Sequence, residues 1–238
     1  MSDPDRRTPI VSIPRFLIVR LGSLGDLVHA LPLAAALRDA WLDATIDWVV
    51  ERRHRALLDL VPVVSRVIAF DSRALFGPGG WLAMRRQLRA ARYDVALDAQ
   101  GLLKSGLVAR LAGARRVVGF AREELREWPA AMFYSETVQP PPGVHVIRKN
   151  LELLRAVGLE PDVAPRFPLT MPAASPTVRE AIAAGPYAVL NPGGGWPNKR
   201  WPADRFGRLA RRLRERRGWR SLVLWGPGDE AQIGRAHV

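Results

Sequence analysis

The chain of 238 residues contains no cysteine. That excludes a disulfide framework and any metal centre built on thiolates. It has no run near the ~20 apolar residues that cross a bilayer; the stretch 16–19, FLIV, is only strand-sized. The opening segment is short and polar, with Arg6 and Arg7 but no apolar stretch ahead of a cleavage site. No secretion signal is read there, and a cytoplasmic location is expected. Lysine is scarce: Lys104, Lys149 and Lys199 are the only ones, so arginine supplies nearly all of the 36 cationic side chains. Against 23 acidic residues this leaves a formal charge of +13. Such an arginine excess fits a GC-rich coding sequence as well as a function. A positive field draws polyanions, whether nucleic acid, an anionic membrane or phosphorylated substrates. The charge is spread along the chain apart from a run at 211–220. No zinc-finger, homeodomain or RNA-recognition pattern accompanies it, so nucleic acid is not expected as a partner.

What the sequence does have is a repeated alternation of strand and helix, the pattern of an α/β protein with a parallel sheet. Strands are predicted over 16–19, 46–50, 67–70, 93–97, 116–119, 187–190 and 221–225. Helices are predicted over 26–40, 81–91, 101–112, 145–157, 177–184 and 203–217. Leu27, Leu31, Ala34 and Leu37 form the apolar stripe of the first helix. Gly158 suits the C-terminal cap of the helix over 145–157. Residues 160–176 gather Pro161, Pro165, Pro168, Pro172 and Pro176 among small and polar residues, which reads as a linker. The expected organisation is a tail over 1–15, a Rossmann-like domain over 16–159, the linker over 160–176, and the start of a second Rossmann-like domain over 177–232. That second domain shows two clear strands, too few for a sheet with its own core, and is expected to be incomplete. The last six residues, Ile233-Gly234-Arg235-Ala236-His237-Val238, match what a common sequencing adapter encodes before an in-frame stop. They are expected to be foreign, with the natural frame running past Gln232.

Four segments carry the chemistry. The first is RLGSLGDLVHALP, Arg20 to Pro32, at the exit of the first strand and the start of the first helix. Ligands bind at such strand ends in open α/β sheets, and the free N–H groups of a helix start favour anions. The spacing is G-x-x-G, and no acidic residue is read as closing the second predicted strand, which argues against a nicotinamide dehydrogenase. Asp26 reads either as a first-turn acid stabilised by the helix dipole or as a general base kept ionised there. His29, three residues on, shares its face. It reads either as an acceptor-orienting group or as an ordinary surface histidine. The second segment is DAQGLLKSG, Asp98 to Gly106. Here Asp98 is a candidate helix cap, and Lys104 is either a cation for an acidic ligand or a solvated helix residue. The third is NPGGGWPNKRWP, Asn191 to Pro202, whose glycines would expose N–H groups to a phosphate beside Lys199 and Arg200. The fourth is LWGPGDE, Leu224 to Glu230, where Glu230 is placed to hold ribose hydroxyls or to cap a helix.

Taken in order, these segments resemble glycosyltransferase family 9, the ADP-heptose:lipopolysaccharide heptosyltransferases, and the heptosyltransferase I branch in particular. Arg20 to Pro32 resembles the family's S-L-G-D-x-x-H-x-L-P signature, Asp98 to Ser105 its D-x-Q-G-L-x-K-S. Lys199 to Pro202 resembles its K-x-W-P, Trp225 to Glu230 its W-G-x-x-x-E. The resemblance covers about 16–232. It implies a GT-B fold, two Rossmann-like domains facing across a cleft, and an inverting transfer that needs neither metal nor cofactor. It implies Asp26 as the catalytic base. Lys199, Gly194, Gly195 and Glu230 would bind the donor, ADP-heptose or another nucleotide sugar. Ser23, Gly25, His29 and Lys104 would lie on the acceptor side. The implied partner is a Kdo–lipid A type lipopolysaccharide precursor of a Gram-negative bacterium, met at the cytoplasmic face of the inner membrane. Arg52–Arg55 and Arg85–Arg92 would touch that precursor or the anionic leaflet. Two departures stand out. The phosphate loop carries glycines where this branch more usually has hydroxyl residues, and the family's later donor loop would lie after residue 232. The alternatives are a family member using another sugar donor, and a non-catalytic polyanion binder or inactive fragment.

Overall fold

A strand that is apolar at every position, Phe16-Leu17-Ile18-Val19, must be covered on both faces. The computed structural model, which describes residues 13–71, 79–193, 198 and 200–226, buries all four completely. This strand, β1 (Arg15–Val19), lies in a parallel sheet with β2 (Thr45–Glu51), β3 (Arg66–Phe70), β4 (Val95–Asp98), β5 (Arg116–Phe120) and β6 (Glu136–Val138), in the order β3-β2-β1-β4-β5-β6. Side chains alternate between faces, so the sheet splits the interior into two cores. Phe16, Ile18, Trp48, Val50 and Leu97 meet helix α1 (Leu24–Ala40) on one side. Leu17, Val19, Val49 and Ala96 belong to the other core, with Met84 and Leu88 of a helix at Gly80–Arg89 and Val108 and Ala109 of a helix at Leu103–Leu111. The predicted stripe of α1 is buried, together with Ala30, Leu33 and Ala35 between its members.

Four local features depart from the expectations. A 3-10 turn at Arg52–His54 leads into α2 (Arg55–Leu58), neither of which has a clear apolar period. The helix at Gly80–Arg89 is α3. Its successor α4 (Leu103–Leu111) starts two residues late, because Gly101 is left-handed (φ 75°) and Leu102 extended. Strand β6 was not expected; its three residues sit at the sheet edge and carry one buried side chain, Val138. The helix expected over 145–157 is α5 (Val146–Glu152) followed by a 3-10 turn, Leu153–Val157, which Gly158 closes at φ 84°.

The chain divides into two compact units, Met1–Met171 and Pro172–Val238. The division falls inside the proline-rich stretch. Its earlier part is tied to the first unit: Arg166 pairs with Asp39, Leu169 packs on the core, and the Thr170 N–H donates to the Leu60 carbonyl at 2.8 Å. The second unit holds α6 (Pro176–Ala183), β7 (Tyr187–Leu190), α7 (Ala203–Arg217) and β8 (Arg220–Val223), with β7 and β8 parallel. Among its described residues only Leu190 and Pro192 are buried. No helix of the described residues is long and apolar enough to cross a membrane.

Candidate functional site

The strand order decides where a ligand fits. It reverses between β1 and β4, and open parallel sheets bind ligands outside the carboxyl ends of their strands at that point. Val19 and Asp98 are neighbours in register there. The first two segments singled out in the sequence therefore leave the sheet side by side.

Ser23 is the N-cap of α1 and Asp26 its third residue. The Ser23 N–H and Oγ–H both donate to Asp26 Oδ2, each at 3.1 Å. The Arg20 guanidinium reaches the same oxygen at 2.9 Å. Three donors thus hold Oδ2, and Oδ1 has no protein partner among the described residues. Burial pushes the Asp26 carboxyl upward in pKa, but the Arg20 charge and the Ser23 bonds outweigh it, and the group is held below its ordinary value. The helix start adds in the same direction. The carboxylate is ionised at neutral pH and 40% exposed. Ser23, Leu24 and Gly25 around it are exposed, and the space where a Gly25 side chain would stand is open.

The second segment is a scaffold for the first. Asp98 is fully buried and accepts the N–H groups of Gln100 (2.9 Å) and Gly101 (3.2 Å) and the hydroxyls of Ser105 and Tyr134, both at 2.8 Å. Burial pushes its carboxyl up against the pull of those four donors. The Gln100 Oε1 accepts the Leu21 N–H at 2.7 Å, and the Ala99 carbonyl accepts from Arg20 Nη1. Sequence reasoning saw Asp98 as a helix cap. It missed Tyr134, whose ring fits because residue 119 is glycine.

One expectation is corrected here. β2 runs to Glu51, so an acid does close the second strand; placing its end at residue 50 hid this. Glu51 is paired with Lys104 Nζ at 2.8 Å and Arg53 at 2.9 Å. Burial raises its pKa, but the Lys104 bond and the surrounding cations bring it below its ordinary value. The charge of Lys104, expected to serve an acidic acceptor, is matched by Glu51 in this structure. His54 packs on Gly22, where a Cβ would come within 3.0 Å of its Nε2. Burial and the Arg53 charge hold its imidazole below the ordinary value against the pull of Glu51. His29 lies on α1 with its ring edge-on to His145, centroids 5.7 Å apart, and its buried Nδ1 has no partner among the described residues.

The model of glycosyltransferase family 9 (heptosyltransferase) matches residues 81–237. The chain belongs to glycosyltransferase family 9. It is 32% identical over 228 residues to lipopolysaccharide heptosyltransferase 1 of Pseudomonas aeruginosa, covering 92% of this chain and 62% of that protein. It is 30% identical over 241 residues to the protein of the same name from Escherichia coli K12, covering 93% and 71%. The structure described as E. coli heptosyltransferase WaaC with ADP-2-deoxy-2-fluoro heptose superposes with a TM-score of 0.76 at 27% identity, covering 93% of this chain and 72% of that one. A family 9 glycosyl transferase from Veillonella parvula, 18% identical, shares the fold with a TM-score of 0.78 over 95% and 67% of the two chains. The fold is thus α/β of the GT-B class. The family match begins at Trp81, so the Asp26 segment lies outside it and rests on the longer relatives.

Of the expected donor residues, Gly194, Gly195, Lys199 and Glu230 lie outside the described residues. What is described around them is the carboxyl end of β7, where Asn191 Oδ1 accepts the Gly193 N–H at 3.1 Å. Pro202 precedes α7, and Trp201 meets Phe206 edge-on at 5.0 Å. The 233–238 segment and most of the 1–15 tail are likewise outside them.

Proposed function

We propose that the protein is an inverting heptosyltransferase that moves a heptose from ADP-heptose to the Kdo-bearing inner core of a lipopolysaccharide precursor, without a metal. The chain spans 62% of the P. aeruginosa relative, and the reading is of the enzyme as a whole. It is supported by the relatives' shared name and by the ADP-heptose analogue that the E. coli structure is described as holding. The observation that carries it is Asp26: an exposed carboxylate at a helix start, on the ligand-binding edge of the sheet, with one oxygen tied and the other untied.

In this mechanism the acceptor hydroxyl gives its proton to Oδ1 of Asp26 as its oxygen attacks the anomeric carbon. The bond from that carbon to the ADP oxygen breaks on the opposite face, which inverts the centre. Lys199 and the N–H groups of Gly194 and Gly195 take up the charge developing on the leaving diphosphate, in place of a metal. Glu230 holds the adenosine ribose. Ser23, Gly25 and His29 line the acceptor, and Lys104 turns from Glu51 toward an acidic acceptor group. Arg52, Arg53 and Arg55 favour the phosphorylated precursor and a peripheral contact with the anionic leaflet.

Asp26→Asn tests this. ADP release from ADP-heptose with a Kdo–lipid A acceptor should fall by about 10³-fold, with donor affinity unchanged and the wild-type rate insensitive to EDTA. Full activity in the variant would remove the base from the mechanism. A panel of nucleotide sugars checks the donor: a faster rate with another sugar would keep the family chemistry and change the substrate.

A further inference from the structure

The mechanism gives Asp26 a task and leaves its charged neighbour without one. Arg20 follows β1 directly, and its side chain is only 10% exposed. An arginine is rarely buried so deeply. Its guanidinium makes two contacts in different directions: Nη1 donates to the carbonyl of Ala99, just past β4, and Nη2 meets Asp26 Oδ2 at 2.9 Å. Its Nε is buried, with no partner among the described residues. A buried N–H left unmade is unfavourable, and replacing a buried ion pair by apolar residues of similar volume often stabilises as well or better. Stability alone therefore does not account for an arginine here. A guanidinium is planar and rigid, so its two contacts fix the carboxylate relative to the exit of β4.

We infer that Arg20 is a positioning residue for the base: it clamps Asp26 Oδ2 against the Ala99 carbonyl, so that Oδ1 is presented to the acceptor hydroxyl. This rests on Asp26 being the base. Arg20 is the charged group that faces Asp26, from the end of β1; Ser23, on the same helix start, adds an N–H and an O–H. The charges at the end of β2 pair among themselves: Glu51 with Lys104 and Arg53, with His54 beside them. The clamp trades some basicity of the carboxylate for full ionisation and a fixed direction.

The test compares Arg20→Gln and Arg20→Lys in the full chain by two readouts. The first is the titration of the Asp26 carboxyl by carbon-13 NMR, its resonance assigned from Asp26→Asn. The second is the pH profile of kcat/KM together with kcat itself. In Arg20→Gln the midpoint should rise by about one pH unit, the acid limb should move with it, and kcat should fall by about 10²-fold with donor KM unchanged. In Arg20→Lys the midpoint should stay low while kcat still falls by about tenfold, because an ammonium is a point charge without the planar fork. An unmoved midpoint in Arg20→Gln overturns the clamp. If Arg20→Gln fails to fold, Arg20→Lys decides, and a wild-type kcat in it overturns the clamp. If the midpoint moves but Asp26→Asn transfers sugar at full rate, the clamp stands and the base assignment falls instead.

Discussion

Helices α1 and α7 are close in length, 17 and 15 residues, and each opens just past a glycine-bearing loop. α1 buries Leu27, Ala30, Leu31, Leu33, Ala34 and Leu37 completely, whereas no side chain of α7 is fully buried. The periodicity is not what differs. Phe206, Leu209, Ala210 and Leu213 recur at helical spacing and are among the half-buried positions of α7. The difference lies in what each stripe meets. α1 packs on a six-stranded sheet, and the described residues of the second unit form a two-stranded one, whose Tyr187, Val189 and Val223 remain exposed. An amphipathic pattern sets which face of a helix turns inward; the width of the partner sheet sets how far inward it goes.

The sharpest way to break this comparison is to strike the node that holds the first unit's site to its core. Asp98→Ala leaves the N–H groups of Gln100 and Gly101 and the hydroxyls of Ser105 and Tyr134 without their acceptor. The loss should be about 3 kcal/mol or more, read as a lower denaturation midpoint for the first unit. Asp98→Asn should be milder, since its oxygen still accepts and both hydroxyls can turn to accept from its amide. The two carboxamide and carboxylate forms also differ with pH. Burial raises the Asp98 pKa in the folded state. Its contribution to stability is therefore fully present below the unfolded value and is lost as pH rises through the folded one. The advantage of wild type over Asp98→Asn should shrink as pH rises from acid to neutral; growth of that advantage would contradict the raised pKa.

A smaller blow to the same node is Gly119→Ala. A Cβ at residue 119 would lie 2.2 Å from the Tyr134 ring, so the tyrosine must move off Asp98. Overpacking of this kind costs about 1–3 kcal/mol. Gly119→Ala combined with Tyr134→Phe separates the steric part from the lost hydrogen bond. If Gly119→Ala alone leaves the melting temperature unchanged, Tyr134 is not part of the node.

How legible this was depended on sequence distance. The five longer strands of the first sheet and the stripe of α1 follow from local runs, and Asp26 is marked by its place at a helix start. Arg20 is adjacent in sequence to the same loop, yet its task depends on a carbonyl 79 residues away. The Gln100 bond to Leu21 spans the same separation, and Tyr134 reaches Asp98 across 36 residues. Composition and periodicity carry no signal for such pairs. Glu51 was hidden by a one-residue error in a strand end, which is enough to move an acid off the sheet edge. Strand β6 was missed because an edge strand of three residues has too little buried surface to impose a pattern.

The smallest expected effect tests the second unit. Val189 and Val223 stand in β7 and β8 and are exposed, so replacing both by threonine removes little buried area and keeps the β-branched shape that strands favour. The melting temperature should change by less than about 2 °C, in line with substitutions away from cores and networks. The control is Ile18→Thr in β1, where a fully buried side chain loses its apolar contacts. There the cost should be about 2 kcal/mol or more. Amide exchange sharpens the contrast: β7 and β8 should exchange far faster than β1 and β4, because few buried contacts resist local opening. If the double threonine variant instead destabilises the chain as much as Ile18→Thr, the faces of β7 and β8 are covered in solution. The contrast between α1 and α7 would then reflect the partner each helix has found rather than the width of its sheet.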